Sequence, residues 1–562
     1  MPTTENRPWL QNYQSGVPAE IEMPTESLSH MLDSSVRRFG KNQALDFFGA
    51  STSYRELGRQ VDRAAEGLRR LGVGPGSRVA LILPNCPQHV VAFYAVLRLG
   101  AVVVEHNPLY TERELRHQFE DHGATVAVVW SNVVAKVQAF PADLAVKTIV
   151  SVDLTRAMPR AKRLALRLPV PAAIKSRKAL TAPVKNTVSW EKLLKSKPLK
   201  KDFPRPEVSD LAAIQYTSGT TGHPKGAMLT HRNLRANAEQ GRAWMHGVAE
   251  GKEVMYAVLP MFHAFGMTLY LTFGVLTGSR VVLFPKFDVD LVLSAAKKTP
   301  PTIYCAVPPI YERTANEARK RGVSLESVRF AISGAMNLPQ ATVDLWEDTA
   351  GGLLVEGYGM TETSPVAMGN PFAPTRRNGT IGVPFPSTEM RVVDPDSPAQ
   401  DVEPGQPGEL LIRGPQVFQG YWGKPEETAA ALLDGGWVRT GDIVTVDEQH
   451  NARIVDRVKE LIITGGFNVS PSEVEDALRS HPDVVDAAVV GIPRPEGGEE
   501  VTAAVVLREG GLTLGEGEMR DYCRGRLAAY KVPRRIVAVP ELPKSMLGKV
   551  LRKQVKEQLA AR

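Results

Sequence analysis

Cysteine is nearly absent: Cys86, Cys305 and Cys523 are the only three in 562 residues, they lie far apart, and no Cys-x-x-Cys pair occurs. A disulfide framework and a zinc knot are thereby excluded. The leading stretch MPTTENRPWLQNYQSG lacks the apolar segment of a secretory signal, so a reducing cytoplasm is the expected setting. No internal repeat is present. A continuous apolar run long enough for a membrane span is also missing: Ala257 to Ser279 carries no formal charge, but Pro260, His263, Gly266, Gly274 and Gly278 punctuate it, which predicts a buried strand, turn and helix. Acidic residues are absent from Leu154 to Trp190, which holds Arg156, Arg160, Lys162, Arg163, Arg167, Lys175, Arg177, Lys178 and Lys185. Such a strip reads as a solvated loop or, because leucines and an isoleucine are interleaved, as an attraction to anionic lipid and peripheral contact with the inner face of a membrane. No nucleic-acid module accompanies the bases.

With 43% hydrophobic and 23% charged residues the chain is an ordinary globular one, and its length exceeds what one core normally supports. Tyr54, Leu57, Val61, Ala65 and Leu68 recur at helical spacing after Ser53, with Gly72 beyond the last turn. Arg78 to Leu83 reads as a strand, Gln88 to Leu99 as a helix, Val102 to Val104 as a strand, Thr111 to Glu114 as a capping box, and Thr125 to Trp130 as a strand. This alternation predicts an α/β fold, a large domain of helix-covered, mostly parallel sheet with ligand loops at the carboxyl ends of its strands. The texture continues to about Asp456. A boundary there leaves residues 457–562, including strands near 484–490 and 501–507, as a small mobile α+β domain after a large domain of residues 1–456.

The most informative run is Tyr216-Thr-Ser-Gly-Thr-Thr-Gly-His-Pro-Lys-Gly-Ala, between the apolar Leu211 to Ile214 and a helix expected near His231. Gly219 and Gly222 permit close backbone approach, Thr217, Ser218, Thr220 and Thr221 supply hydroxyls, and Lys225 supplies charge, so the run suits a polyphosphate. It is not a Walker loop, because Pro224 precedes the lysine and Gly226 follows it.

On this run the chain resembles the adenylate-forming superfamily of acyl-CoA and aryl-CoA ligases, peptide-synthetase adenylation domains and luciferases. Further motifs follow in order: Phe262-His-Ala-Phe-Gly, Ser333-Gly-Ala, Tyr358-Gly-Met-Thr-Glu, Trp437-Val-Arg-Thr-Gly-Asp442, Asp456-Arg-Val-Lys-Glu-Leu-Ile and Pro543-Lys-Ser-Met-Leu-Gly-Lys549. The resemblance implies ATP, Mg²⁺ and coenzyme A as reactants, and a role for each matching residue. Tyr358 and Gly359 pack on adenine beside Gly334 and Ala335, Thr361 touches phosphate, Glu362 holds magnesium, and Asp442 with Arg457 takes the ribose side. Lys549 stabilises the charge that grows during adenylation. Lys459 is the hinge, Gly465, Gly466 and Phe467 line the thiol's path, and His263 gates the acyl carboxylate.

Trp9-Leu, Asn107 to Leu115, Val455-Asp-Arg and Gly466-Phe-Asn-Val are similar to bacterial long-chain fatty-acid ligases, which implies a fatty acid as the acyl partner. Met336, Asn337 and Ala264 depart from that pattern and leave medium-chain or aryl acids open. A carrier-protein-loading ligase, a luciferase-like oxygenase and a non-catalytic lipid carrier are the other readings, and a homodimer is a further candidate assembly.

Overall fold

The structure is a computed structural model that describes residues 7–217, 224–458, 460–464, 467–494, 499–508, 516–527, 529–545 and 548–561 of the 562. Contacts divide the chain into two units: residues 1–389 with 412–438, and residues 390–411 with 439–562.

The first unit is built on two large sheets. In one, seven strands run in the order Val188–Ser189, Thr148–Val152, Val126–Trp130, Arg78–Ile82, Val102–Glu105, Leu211–Thr217, Lys225–Thr230. All its pairs are parallel except the last, an antiparallel hairpin. The other has nine strands, and its parallel middle runs from Leu354–Gly359 through Phe330–Ser333, Ile303–Ala306, Val254–Ala257 and Arg280–Leu283 to Gln43–Phe47. Parallel strands buried on both faces read as unbroken apolar runs, and Val126–Trp130 (VAVVW) is such a run.

Helix Pro87–Arg98 packs against strands of both sheets, and all its residues are buried. That explains its lack of a polar face, for which sequence alone offers no partner. Its one cation, Arg98, is neutralised by ion pairs to Asp33 and Asp62, and His89 shares a proton with the buried Glu105 at 2.9 Å. Helix Tyr54–Arg70 starts where its capping residue predicts: Ser53 Oγ accepts the Glu56 amide. The reciprocal capping box at Thr111 and Glu114 opens Glu112–His122. Of the uncharged stretch only Ala257, the end of Val254–Ala257, is in a strand, and a turn and a helix follow. Its helical part, Ala264–Gly266, Met267–Phe273 and Gly274–Leu276, is buried except at Phe265, with the middle segment wound as a π-helix.

In the second unit a three-stranded sheet of Val484–Pro493, Glu499–Leu507 and Arg535–Ala538 is covered on both faces. Ala487, Val489, Ala503 and Val505 join one core with Val474 and Leu478. The alternate residues Ala488, Val490 and Ala504 join another with Val555 and Leu559. The period of two along each strand thus assigns successive side chains to different helices. A second antiparallel ladder pairs Trp437–Val446 with Ala452–Arg457. All three cysteines are buried and free, and among the described residues no helix is long and apolar enough to cross a membrane.

Candidate active site

Of the phosphate-type run, Tyr216 and Thr217 end one strand of the hairpin that edges the seven-stranded sheet, and Lys225, Gly226 and Ala227 open the other. The helix expected near His231 is there as His231–Trp244; the strand Lys225–Thr230 that precedes it was not read from the sequence. The strand forms because Gly226-Ala-Met-Leu can lie flat against Leu211–Thr217, with Thr217 and Lys225 as register partners closing the ladder. Gly226 is required there: a Cβ would stand 2.6 Å from the Ile214 side chain. Ser218, Gly219, Thr220, Thr221 and Gly222 lie outside the described residues.

The outer edge of Lys225–Thr230 is taken by the segment 419–422. Gln419 donates to Met228 at 3.0 Å, Met228 to Gly420 at 2.9 Å and Trp422 to Gly226 at 2.8 Å. This pairing delivers Tyr421, a residue that sequence reasoning missed although Gly420-Tyr-Trp-Gly is an unusual aromatic turn. Its hydroxyl donates to Glu362 Oε1 at 2.6 Å, and its ring centroid lies 4.7 Å from the Lys225 ammonium. Burial and then the Glu362 charge push the Tyr421 phenol up, so it stays protonated and serves as a donor. Glu362 is 6% exposed, and its backbone carbonyl accepts the Phe418 amide at 2.9 Å. Ammonium, phenol and carboxylate therefore meet at the Lys225 end of the hairpin.

Two more pieces arrive from the nine-stranded sheet. Phe330–Ser333 and Leu354–Gly359 are parallel neighbours, so Gly334 with Ala335 and Tyr358 with Gly359 emerge at the same, carboxyl end. Ala335 holds φ +66°, a left-handed conformation that an alanine adopts only at a cost. A Cβ on Gly359 would stand 1.9 Å from the Pro365 carbonyl, because the chain doubles back through the turn Thr361–Thr363 that carries Thr361 and Glu362. Two residues before Tyr358, Glu356 is buried, and burial pushes its carboxyl up to about 8. Its Oε2 and the Ser333 Oγ on the paired position have no hydrogen-bond partner among the described residues.

His263 caps Ala264–Gly266, its Nδ1 accepting the Phe265 amide at 3.3 Å. Burial brings its pKa down to about 4, so the imidazole is neutral. The segment before it is held by Asn85, which donates to Ala257 and Leu259 at 2.9 and 2.8 Å and accepts from Met261 at 2.8 Å. Gln215 adds a bond to the Phe262 carbonyl at 2.7 Å, and Thr268 ties the π-helix to Ser364 at 2.6 Å.

The second unit holds its own cluster. Asp442, 3% exposed, receives Arg457 Nε at 2.9 Å across the ladder on which they are paired. Gly441, at φ +71°, turns the strand so that Thr440 Oγ1 can donate to Leu410 at 2.7 Å while accepting the Asp442 amide. Lys549 stands on a short hairpin in which Lys544 bridges Val550 and Ser545 donates to the Lys549 carbonyl at 2.7 Å. The residue is exposed as a whole, yet protein crowding around its ammonium, with Arg457 and Arg552 set against Glu460 and Asp442, lowers its pKa to about 8. Lys459, Gly465 and Gly466 lie outside the described residues; Phe467 opens strand Phe467–Val469, antiparallel to Ile462–Thr464.

Thr464 lines a cavity of about 240 Å³ with Arg494, Arg520, Arg524 and Arg534. Arg494 Nε and Nη2 and Arg520 Nε are buried there without hydrogen-bond partners among the described residues. Four arginines thus line one hollow, with Arg494 Nη2 3.7 Å from Glu500 Oε2. Their spacing over forty positions gives no local motif, which is why sequence reading passed over them.

Residues 32–422 match the family model described as AMP-binding enzyme, and residues 473–549 match the AMP-binding enzyme C-terminal domain. The chain is 37% identical over 558 residues to the long-chain-fatty-acid–CoA ligase of Bacillus subtilis (strain 168), covering 98% of both chains. It is 36% identical to the enzyme of the same description from Escherichia coli O157:H7, again over 98% of each. Among solved structures, ATP-bound MatB from Rhodopseudomonas palustris superposes with a TM-score of 0.78 at 29% identity, covering 95% of this chain and 99% of that one.

Proposed function

The chain belongs to the AMP-binding enzyme family, and from that premise we propose that it is an AMP-forming long-chain fatty-acid–CoA ligase. In the first half-reaction a fatty-acid carboxylate oxygen attacks the α-phosphorus of ATP, the bond to the β-phosphate oxygen breaks, and pyrophosphate leaves. In the second, the coenzyme A sulfur attacks the acyl carbonyl, AMP departs with the carboxylate oxygen, and the thiol proton passes to solvent. The meeting of Lys225, Tyr421 and Glu362 is the observation that supports this reading most. The two ligases of that name, similar over nearly their whole length, support the long acyl chain.

Magnesium fits this group in one way only. Among the described residues no cluster of three or more His, Cys, Asp or Glu could form a cage, whereas one buried carboxylate backed by a phenol suits a hard cation completed by nucleotide oxygens and water. Glu362 is the residue that would hold it, and the ion would neutralise phosphate charge. Thr361 with Thr217 and Lys225 would bind phosphate, Gly334, Ala335, Tyr358 and Gly359 the adenine, and Asp442 with Arg457 the ribose. Lys549 is assigned the charge that grows on the α-phosphate oxygens, and neutral His263 a wall that adds no competing charge beside the acyl group.

Lys459 is assigned the hinge that divides residues 1–456 from 457–562, so that one site serves two reactions in turn. The arginine-lined cavity beside Thr464 supplies the charge that coenzyme A phosphates require. The strip from Leu154 is assigned to anionic lipid, supported by Leu164, Leu168 and Val170 standing 61%, 54% and 47% exposed among its bases.

The test is product analysis with ATP, magnesium and oleate, followed by coenzyme A and then acids of graded length. Release of pyrophosphate and AMP with oleoyl-CoA as the thioester is expected. ADP among the products, or a preference for short or aryl acids, overturns the corresponding part.

A further inference from the structure

Arg552 occupies a position that helix physics disfavours. It is the first residue of Arg552–Ala560, a helix with no acidic residue in its first turn, so its cation faces the positive end of the helix dipole. Its guanidinium is nevertheless fully engaged. Nε and Nη2 clasp the buried carboxylate of Glu475 at 3.0 and 2.8 Å, Nη2 also reaches Ser472 Oγ at 3.1 Å, and Nη1 pairs with Glu460. Glu475 already has a second task, accepting the Val489 amide at 2.9 Å, which makes it part of the unit's core. Glu460 has none of that kind: its side chain is 23% exposed, and its amide bonds back to the Arg457 carbonyl at 3.0 Å.

The Glu460 arm is a direct tie between two segments that are otherwise linked through helix Pro471–Arg479, where Asp456 accepts the Ser472 amide and Arg552 reaches Ser472 Oγ. One carries Arg457, and through it Asp442; the other is the hairpin that presents Lys549 three residues before Arg552. We propose that Glu460 and Arg552 are positioning residues for Lys549, their ion pair fixing where its ammonium stands relative to Arg457 and Asp442. The inference rests on the assignment of Lys549 to adenylate formation.

A role in positioning differs from a role as a mere staple through the charges that Lys549 feels. Arg457 and Arg552 lower its pKa, while Glu460 and Asp442 raise it, and the ammonium is lost as pH rises through about 8. Removing the Glu460 charge therefore moves the alkaline limb of adenylation to lower pH. Arg552→Lys keeps the charge but loses the planar fork, so it slows the step without that downward movement.

The experiment follows ATP–pyrophosphate exchange against pH in the full chain for Glu460→Gln, Arg552→Lys and Lys549→Ala, with melting midpoints. Glu460→Gln is expected to lower kcat about 5- to 20-fold with the KM for ATP within about twofold, and to shift the alkaline limb downward. Its partly exposed site keeps this variant foldable if Arg552→Lys is not. An unchanged rate and limb in Glu460→Gln, beside a Lys549→Ala that has lost exchange, overturns the inference. A fallen midpoint with an unmoved limb does the same and assigns the pair to folding alone. Full exchange activity in Lys549→Ala overturns the underlying assignment instead.

Discussion

Glu362 illustrates how a single side chain acquires its chemistry from residues distant in sequence. Its carboxylate is buried with Tyr421 as donor, fifty-nine positions away, so the phenol orients the oxygen that would meet a cation. Tyr421→Phe is expected to weaken magnesium-dependent adenylation by about 10-fold or more, since a hydrogen bond to a charged group contributes roughly 1.5–3 kcal/mol. Rates measured across a magnesium titration check this, and Tyr421→Phe at wild-type rate excludes the role. Glu356 makes a different prediction. Its folded carboxyl keeps its proton up to about 8, against an ordinary 4.5, so between those values the folded state binds more protons than the unfolded one. Stability from this group is therefore full below 4.5 and falls as pH rises toward 8. Denaturant melts of the ligand-free protein at pH 5 and pH 8.5 should show a smaller loss for Glu356→Gln than for the natural chain.

Elements place what residues only promise. The capping box at Thr111, the helix after Ser53 and the apolar parallel strands were legible in sequence because each is decided within a few neighbours. The strand Lys225–Thr230 was not, since it is stabilised by pairing on both edges, to Leu211–Thr217 and to the segment 419–422. The glycine of Tyr358-Gly-Met was legible as a motif but not as a necessity. Only the doubled-back chain puts the Pro365 carbonyl 1.9 Å from a hypothetical Cβ. Gly359→Ala must therefore shift the turn that carries Thr361 and Glu362. Adenylation is expected to fall about 10²-fold or more, as displacement of reacting groups by about 1 Å does, while a far-ultraviolet dichroism spectrum stays native. Wild-type exchange activity in Gly359→Ala would show that the turn tolerates the shift.

For the molecule as a whole, the charge of +7 matters less than where its bases lie. Helices Arg160–Ala165 and Pro171–Leu180 and the stretch between them place cations beside the exposed Leu164 and Leu168. Co-sedimentation with vesicles holding anionic lipid should exceed that with neutral vesicles and weaken as salt rises. Replacing Leu164 and Leu168 by serine should reduce it, and equal sedimentation with both vesicle types would exclude the contact. Composition, caps, apolar periodicity and the ordered motifs were settled by the sequence alone, because each depends on bonds and sterics within a turn or two of chain. The partnership of Tyr421 with Glu362, the gathering of Arg494, Arg520, Arg524 and Arg534 around one hollow, and the tie from Arg552 to Glu460 were decided by tertiary structure. Each joins residues dozens of positions apart, and only the packing of strands and helices fixes which distant side chains become neighbours.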